Sequence, residues 1–395
     1  MVASSRDPAP TSVASDDGPF GAGPYPWLVK SPPFRFVGRS TWRCVLATAA
    51  ITWLPLALLA AVEGHALAAT PHQSLLLDLE AYVRYLVAAP LFVGAASVYL
   101  PQLASAVHAF VDAEIIARHD LDRYQALVGS TRRLMASRVT DVGLLAVAYI
   151  VTFAAPAVQA DGATWARPAA ESLSYAGWWR LLVSHPLFIA LWAAWVWRLL
   201  LWVRFLWVVA RMDLRLVATH PDRLGGMRFI LTPLRGFTVL AFAVGTIAAG
   251  TIAEAIIVDA RLPIEFRYFI GAQVVTVLVA FAGPLLLLSL PLVRLQERGT
   301  VEWGQAASRL GREFQKRWTE PGHREMNADA LGVPDFSATV DLFGIVAGVQ
   351  NINPLVLDVR PVLLLVLATL LPYVPVVFAV MPFDQVMQLA LKALS

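Results

Sequence analysis

A carboxylate within an apolar stretch is the clearest candidate for chemistry in this sequence. Glu254 lies in the run Gly250–Ile257, which has no other charged side chain. A charge at the centre of a membrane helix raises the free energy of insertion by about 2.5–3.5 kcal/mol, so it is usually retained for a partner or an ion pathway. Asp259 follows closely, so Glu254 can equally reach the outer surface or hydrogen-bond a neighbouring helix, for which Gln273 is a candidate.

Arginines among tryptophans form a second candidate site. Arg198 lies one turn from both Trp195 and Trp202 in a long apolar stretch, and Arg204 follows nearer its end. A guanidinium in such a place needs a cation–π stack or a carboxylate from another helix. If Arg198 faces a water-filled cavity, it favours anionic substrates. If the helix is long and tilted, both arginines extend to the cytoplasmic surface instead.

Glu80 and Arg84 have the spacing of an ion pair within one helix. They are four residues apart with the acid nearer the N-terminus, which is the favourable order. The sequence leaves two interpretations open: a structural pair that eases insertion at the outer rim, or a charged gate that faces a substrate.

The most distinctive string runs from Arg211 to Gly226. It contains four side chains able to bind a ligand, namely Asp213, His220, Asp222 and Arg223. Thr219 can cap a short turn that Pro221 presets and the glycine pair ends, which predicts a structural turn. Arginines, a histidine and glycines would equally suit a phosphate or carboxylate bound by guanidinium and backbone N–H groups.

This string resembles a segment of a group of uncharacterised bacterial multipass membrane proteins. The shared order is Arg-x-Asp-Leu-Arg-Leu-Val-x-Thr-His-Pro-Asp-Arg-x-Gly-Gly, and the group also has an acidic helix start like Asp78-Leu79-Glu80 before an arginine such as Arg84. The likeness covers most of the chain from the first apolar stretch onward. It implies a multipass protein of the bacterial inner membrane and supplies no activity.

Signatures of common enzyme chemistry are absent from the sequence. There is no Walker A sequence, GxSxG elbow, HExxH motif, paired-cysteine motif or dinucleotide glycine fingerprint. The histidines lack the spacing of metal ligands, and Cys44 has no second cysteine with which to form a disulfide. We therefore expect no cofactor and no metal, and an ATP-driven or familiar hydrolytic role is disfavoured.

Long apolar helices must position all of these residues. The chain is 58% hydrophobic and 15% charged, whereas soluble proteins average about 25% charged residues. A membrane helix needs about 20 mainly apolar residues. Such stretches lie at Cys44–Val62, Tyr82–Leu100, Val142–Val158, Leu182–Val208, Phe237–Val258, Phe269–Leu292 and Val362–Met381. The predicted fold is an all-α, polytopic transmembrane helical bundle of about seven spans.

Lysine and arginine fall on alternate sides of these stretches. They are concentrated in the N-terminal tail, in residues 103–138, after the fourth stretch and in residues 293–360. Because short cytoplasmic loops retain basic residues, the pattern predicts an N-in, C-out topology. The net charge of +3 then reflects topology and not binding to nucleic acid.

The remaining segments are expected on the cytoplasmic side, except a short outer tail after the seventh span. Residues 1–42 have the composition of a disordered tail, and residues 103–138 predict a helical loop whose second helix Asp120 caps. Residues 293–360 predict amphipathic helices. The apolar face of Trp303–Trp318 opposes a cationic face, so this helix lies on anionic lipid or packs under the bundle, and Val340–Val349 forms a shorter helix.

Three functions remain open on the sequence. Transport or conduction of a solute or ion ranks first because of the embedded charges. An enzyme acting on an anionic or lipid-linked substrate at Thr219–Gly226 is an alternative. The third is a non-catalytic scaffold or sensor that recruits a protein partner, or a second copy, on the cytoplasmic side. Membrane lipids are expected partners throughout, and no internal repeat is strong enough to argue for an inverted-repeat transporter.

Overall fold

The computed structural model describes residues 19–20, 41–68, 73–154, 165–167, 172–258, 261–319 and 334–380. Over these residues the chain is all-helical, which confirms the predicted class. Five helices are long and apolar enough to cross a membrane, and the number reaches seven if each of two bent helix pairs is one span. These helices are those of an integral membrane protein. The seven expected spans are the upper end of this range, and most of the N-terminal tail and the outer tail lie outside the described residues.

The helices are numbered in chain order over the described segments. They are α1 (Thr41–Val62), α2 (Leu79–Asp112), α3 (Leu121–Met135), α4 (Arg138–Ala154), α5 (Tyr175–Val209), α6 (Thr232–Ile257), α7 (Arg267–Phe281), α8 (Ser289–Trp318), α9 (Pro334–Gln350), α10 (Val359–Leu370) and α11 (Tyr373–Val380). The α3–α4 pair bends by 49° and the α10–α11 pair by 42°. The 34-residue α2 and the 35-residue α5 are the longest candidate spans and extend beyond the predicted bounds.

Prolines shape α2 and α5. Each helix contains a wide π-helical turn, Tyr82–Ala88 in α2 and Arg180–Ser184 in α5, shortly before a proline at position 90 or 186. Proline has no backbone N–H, so a carbonyl one turn earlier loses its partner. At the end of each π turn a backbone N–H donates to the carbonyl five residues earlier and not to the one four residues earlier. The carbonyl that the proline leaves without a donor is therefore shifted by one position along the helix.

A threonine of α1 replaces the donor that Pro90 lacks. In the π pattern the carbonyl of Tyr85 would accept from residue 90. The hydroxyl of Thr52 lies 2.8 Å from this carbonyl and 2.8 Å from that of Thr48 in its own helix, so the two carbonyls share its one proton. The hydroxyl of Ser184, in the π turn of α5, donates to the carbonyl of Thr52 at 2.7 Å. Thr52 is completely buried. It therefore joins the two π turns.

The same compensation occurs within α1. Pro55 leaves the carbonyl of Ile51 without its usual helical donor. The indole N–H of Trp179, at the start of α5, donates to that carbonyl at 3.3 Å. Pro90 of α2 thus requires a bond from α1, and Pro55 of α1 requires a bond from α5. These two bonds hold α1 against both helices.

The regions around the two π turns have similar sequences. Residues 84–93 read RYLVAAPLFV and residues 180–189 read RLLVSHPLFI, so each position has its counterpart 96 residues later. Asp78 and Ser174 have the same offset, and each side chain caps its helix by accepting from the backbone N–H three residues on, at 2.7 and 2.8 Å. Helix α1 packs along α2, and α4 packs along α5. The chain therefore contains a parallel internal repeat, which the sequence analysis did not identify.

Counterpart residues of the two repeats touch each other. The rings of Phe92 and Phe188 are 6.0 Å apart, and those of Tyr99 and Trp195 are 5.6 Å apart. Because counterparts meet at two levels, α2 and α5 are parallel and lie beside a local twofold axis. This axis organises the candidate site.

Helix α6 packs between α2, in the first repeat, and α10. A Cβ atom at Gly245 would overlap the carbonyl oxygen of Thr369 in α10, and one at Gly236 would crowd Tyr99 and Gln102 of α2. Glycine at these two positions permits close contact between helices, as in other membrane bundles.

The expected sixth span, Phe269–Leu292, is not one helix. Helix α7 ends at Phe281, residues 283–288 form tight 3₁₀ turns, and α8 begins at Ser289. Pro284 explains the break, because it removes a donor and disfavours a helical conformation at Gly283.

The amphipathic helix predicted at Trp303–Trp318 is the second half of α8, and its apolar face meets α9. The ring of Phe336 in α9 lies 5.0 Å from that of Phe314 and 5.1 Å from that of Trp318. Trp318 is buried. This apolar face is therefore covered by protein, while α9 leaves Val340 and Phe343 exposed.

The bond from Thr52 predicts a stability difference between two isosteric substitutions. Thr52→Val removes the donor to Tyr85 and should lower the free energy of unfolding by about 1–3 kcal/mol, because a buried carbonyl loses its partner. Thr246→Val is the control, since the hydroxyl of Thr246 bonds only within its own helix, to Phe242. Thermal unfolding of both variants in detergent measures the difference. Equal midpoints would contradict the proposed role of Thr52.

Candidate functional site

The structure brings Glu80, Arg84, Thr251 and Glu254 together where α2 begins, and we call them the cap cluster. The backbone N–H of Glu80 donates to Glu254 Oε2 at 3.1 Å, and the hydroxyl of Thr251 donates to Glu80 Oε1 at 3.0 Å. Arg84 forms an ion pair with Glu80. Glu254 thus accepts a hydrogen bond at the N-terminus of α2, where the helix dipole also stabilises a negative charge.

Gln273 does not partner Glu254. Its amide donates to the carbonyl of Val244 at 3.0 Å, and it accepts from the hydroxyl of Tyr373. The sequence-based partner was therefore wrong, because a lone polar residue in a span does not reveal which neighbour it faces.

The second repeat has a simpler version of the cap cluster. Glu63, which follows α1, accepts from the backbone N–H groups of Tyr175 and Ala176 at 2.8 and 3.3 Å. Ala176 is the counterpart of Glu80. A carboxylate from another helix therefore caps both α2 and α5, while the Glu80–Arg84 pair is present only in the first repeat.

Buried polar residues that the sequence analysis missed lie behind the cap cluster. The indole N–H of Trp165 donates to Asp78 Oδ2 at 2.8 Å, and the guanidinium of Arg180 lies 5.7 Å from the Trp165 ring centre. Tyr85 Oη lies 3.3 Å from His185 Nδ1. Arg180 is the counterpart of Arg84, so the repeat is the signal in the sequence that could have identified it.

Arg198 lies in a second polar group deeper in the bundle. It is 7% exposed and stacks on the ring of Trp195 at 4.7 Å. Tyr99, the counterpart of Trp195, lies within electrostatic range of Arg198. Gln102 is the counterpart of Arg198 itself. Tyr99, Gln102 and Arg198 form what we call the central polar layer.

Arg198 is buried and does not extend to the cytoplasmic surface, which was the alternative expected for a long, tilted helix. Arg204 contacts hydroxyl groups of α3 instead, with distances of 3.2 Å to Ser130 and 3.5 Å to Thr131. The two arginines of α5 therefore occupy different environments.

Two polar atoms of the central polar layer have no hydrogen-bond partner among the described residues. They are the hydroxyl of Tyr99, a side chain that is 1% exposed, and Oε1 of Gln102. Leaving a buried polar group unpaired costs about 1–3 kcal/mol. A water molecule or a bound solute could supply the missing partners.

Aromatic rings enclose the central polar layer on both sides. Towards the start of α2 and α5 lies the Phe92–Phe188 pair. On the other side Trp202 and Phe205 stack 5.6 Å apart, and the ring of Phe20 lies 5.9 Å from Trp202. Phe20 is buried, so this residue of the N-terminal tail packs into the bundle.

The string at 211–226 forms a turn closed by its own carboxylate. Asp222 Oδ1 accepts from the backbone N–H groups of Leu224 and Gly226 at 2.9 and 3.1 Å, and Oδ2 accepts from that of Arg228 at 3.1 Å. His220 Nδ1 lies 2.8 Å from Oδ1. The N–H groups that could have held a phosphate are therefore already occupied, which favours the structural turn.

Burial raises the pKa of the Asp222 carboxyl, but the hydrogen bonds from these backbone groups and from His220 outweigh burial. The pKa of Asp222 consequently lies below its ordinary value of 3.8. The carboxylate is ionised at neutral pH.

The neighbouring candidates Arg223 and Asp213 act through their backbones. Arg223 has a positive φ of 58°, and its carbonyl accepts from the N–H of Asn353 at 3.0 Å. The N–H of Asp213 donates to Asp120 Oδ2 at 2.8 Å, and its carbonyl accepts from Ala117 at 3.1 Å. Asp120 therefore ties two loops together and does not cap α3 with its side chain, as the sequence had suggested.

The bonds of Asp222 predict a pH-dependent turn. Because the folded-state pKa is depressed, the stabilisation is fully present above the unfolded-state pKa of about 4 and is lost as the pH falls through the folded-state value. Asp222→Asn removes the acceptor for Arg228 and should accelerate amide exchange in residues 216–230 by about tenfold at pH 7.

Hydrogen exchange with mass spectrometry measures both effects. Asp213→Asn is the control, because its side chain is 68% exposed and lies 3.9 Å from the imidazole of His119. Exchange that is unchanged in Asp222→Asn would contradict the turn assigned here.

The cap cluster predicts that a neutral acceptor can replace Glu254. Glu254→Gln keeps an oxygen for the N–H of Glu80 and should unfold near the wild-type temperature, whereas Glu254→Ala should lose about 1 kcal/mol. Glu63→Gln should be less well tolerated, because both oxygens of Glu63 accept bonds. If Glu254→Gln is as unstable as Glu254→Ala, charge and not capping is the important property.

Among the described residues, no group of three or more histidine, cysteine, aspartate or glutamate side chains is arranged to hold a metal ion. Comparisons with models of protein families, with curated proteins and with solved structures found no match for the chain. Function must therefore be inferred from the geometry of the central polar layer and the cap cluster.

Proposed function

We propose that this protein transports a small polar solute or ion across the bacterial inner membrane as a multipass, N-in, C-out protein. The observation that supports this most strongly is the central polar layer, enclosed by aromatic rings on both sides. A buried polar site closed towards both ends of a bundle is the arrangement expected of a transporter in an occluded state.

The internal repeat supports alternating access as the mechanism. Many transporters consist of two repeats that rock against each other around a site at their interface. Here Phe92 and Phe188 are counterparts that meet beside the local twofold axis. Rotation of one repeat against the other would separate these rings and open the polar layer towards the cap cluster.

Contacts between the arginine-rich loops support the proposed orientation. Ile116 and Leu214, in the loops after α2 and α5, form an antiparallel bridge, and the loop after α9 bonds to Arg223. These basic segments therefore gather at one end of the bundle, as the positive-inside rule requires of a cytoplasmic face. The exposed cations of α8, Arg309, Arg312 and Lys316, would face anionic lipid there.

The alternatives have weaker structural support. An enzyme site at Thr219–Gly226 has less support, since Asp222 already occupies the backbone N–H groups of Leu224 and Gly226. The exposed Val340 and Phe343 of α9 are compatible with a scaffold, but nothing in the structure identifies what covers them. The transport proposal uses residues that neither alternative explains.

Proteoliposomes test transport even while the solute is unidentified. Swelling is followed by light scattering in iso-osmotic potassium nitrate, potassium acetate, potassium phosphate or glycerol, and at least one rate should exceed that of empty liposomes. In a Cys44→Ser background, cysteines at positions 92 and 188 joined by a short bis-methanethiosulfonate cross-linker should block that rate, and reduction of the two disulfides should restore it.

The control has cysteines at positions 149 and 153, whose rings stack 6.3 Å apart within α4, so linking them does not join the repeats. Swelling no faster than in empty liposomes in all four solutes would overturn the proposed function. A linked 92–188 pair that still transports would overturn the alternating-access mechanism.

A further inference from the structure

We propose that an apolar groove between α6 and α10 is a binding site for one phospholipid with an anionic headgroup. Arg235 and Thr238 of α6 line one side of the groove, and Leu364 and Leu367 of α10 line the other. Its volume is about 560 Å³, within the range of roughly 300–1,000 Å³ that small-molecule sites have. The groove shares no residue with the cap cluster or the central polar layer, so this inference goes beyond the proposed function.

Helices α6 and α10 run parallel, which places Arg235 at one end of the groove. Gly245 of α6 lies against the backbone of Thr369 in α10. Further along the chain, Ile252 of α6 packs with Tyr373 of α11. Higher residue numbers therefore meet higher residue numbers, and Arg235, in the first turn of α6, lies where α10 begins. In the proposed orientation that end is cytoplasmic.

The α10 side of the groove is a stripe of exposed apolar side chains. Leu364, Leu367 and Leu371 recur every three or four residues, and Val374 continues the stripe into α11. These four side chains are 45–58% exposed. Ten helical residues rise by about 15 Å, which is half of the roughly 30 Å of hydrocarbon in a bilayer. The stripe therefore matches the acyl chains of a lipid in one leaflet.

Arg235 supplies a positive charge at the cytoplasmic end of this stripe. Its side chain is exposed, and it is the one charged residue among the described residues that line the groove. The hydroxyl of Thr238 donates to the backbone carbonyl of Arg235 at 2.6 Å, and in the described part of the chain the guanidinium itself has no hydrogen-bond or ion-pair partner. A guanidinium binds the oxygens of a phosphate group through parallel N–H groups.

The residues around this end carry an excess of positive charge. The segments that lead into α6 and α10 contain Arg228, Arg235 and Arg360 but one acid, Asp358. Asp358 already pairs with Arg228 at 3.2 Å, and the N-termini of both helices add partial positive charge. An anionic headgroup such as that of phosphatidylglycerol therefore fits this end better than a zwitterionic headgroup, whose own cation would be repelled.

Native mass spectrometry of the delipidated protein in neutral detergent tests the headgroup preference. Phosphatidylglycerol and phosphatidylcholine with identical acyl chains are titrated separately, and the dissociation constant of the first bound lipid is measured. The wild type should bind phosphatidylglycerol more tightly. Arg235→Gln should weaken phosphatidylglycerol binding about three- to tenfold and phosphatidylcholine binding by less than about twofold, because one cation beside an anionic headgroup is lost.

The matched control for Arg235→Gln is Arg133→Gln. Arg133 is an exposed arginine near the end of α3 and does not line the groove. This control should bind both lipids like the wild type, because an arginine elsewhere on the cytoplasmic side does not touch the bound headgroup.

A second pair of variants tests the apolar stripe. Leu367→Asn should weaken binding of both lipids about tenfold, because the acyl chain would cover an unpaired amide. Leu200→Asn in α5 is its control, since Leu200 is 55% exposed and Leu367 is 53% exposed. Both leucines are exposed, so neither change disturbs the core. Glycerol phosphate, which has the headgroup charge without acyl chains, should not displace the lipid.

Three results would overturn the inference. They are equal affinity of the wild type for the two lipids, equal effects of Arg235→Gln and Arg133→Gln, and displacement of phosphatidylglycerol by glycerol phosphate at equal concentration. None of these results bears on flux in proteoliposomes. Failure of the lipid site therefore leaves the transport proposal standing, and absence of flux leaves the lipid site standing.

Discussion

In hydrocarbon, every backbone carbonyl must find a donor within the protein, because no water is present to supply one. Prolines make this requirement acute in this chain, since they remove donors from the helices that carry the site. The hydroxyl of Thr52 and the indole of Trp179 replace those donors, and the hydroxyl of Ser184 adds a bond to the carbonyl of Thr52. Each replacement comes from a different helix, so the same bonds that satisfy the backbone also fix α1, α2 and α5 relative to one another. The positions of the cap cluster and the central polar layer follow from that arrangement.

The internal repeat shows which features the scaffold needs and which are additions. Both repeats keep the π turn, the following proline, the N-terminal cap and a phenylalanine beside the axis, so these belong to the shared scaffold. The differences lie at the polar positions: Ser174 replaces Asp78, Ala176 replaces Glu80, and Arg198 replaces Gln102. A scaffold role alone does not account for residues that only one copy has. For that reason the central polar layer, and not the capping carboxylates, is the stronger indication of function.

The sequence predicted the helices better than their contacts. Long apolar stretches identified most spans, and the spacing of Glu80 and Arg84 predicted an ion pair that is present in the structure. Both signals are local. Gln273, Asp120 and Asp222 were harder, because their partners lie on other segments or on backbone groups that a sequence does not reveal. Nor did apolar composition show the break at Pro284. The repeat is present in the sequence, in residues 84–93 and 180–189, but apolar stretches resemble one another by composition alone. The contact between Phe92 and Phe188 shows that the match reflects a structural repeat.

The π turns also connect the fold to the proposed mechanism. Phe92 and Phe188 each lie two residues after the proline that follows a π turn. They are therefore the first rings beside the local twofold axis after the segment in which helical hydrogen bonding is irregular. A helix bends most readily at such a site. Rotation that separates the rings would therefore strain the bond from Ser184 to Thr52, which joins the two repeats. The bonds that satisfy the backbone in the closed arrangement thus favour that arrangement, and a solute in the central polar layer would have to shift the balance between the two aromatic closures.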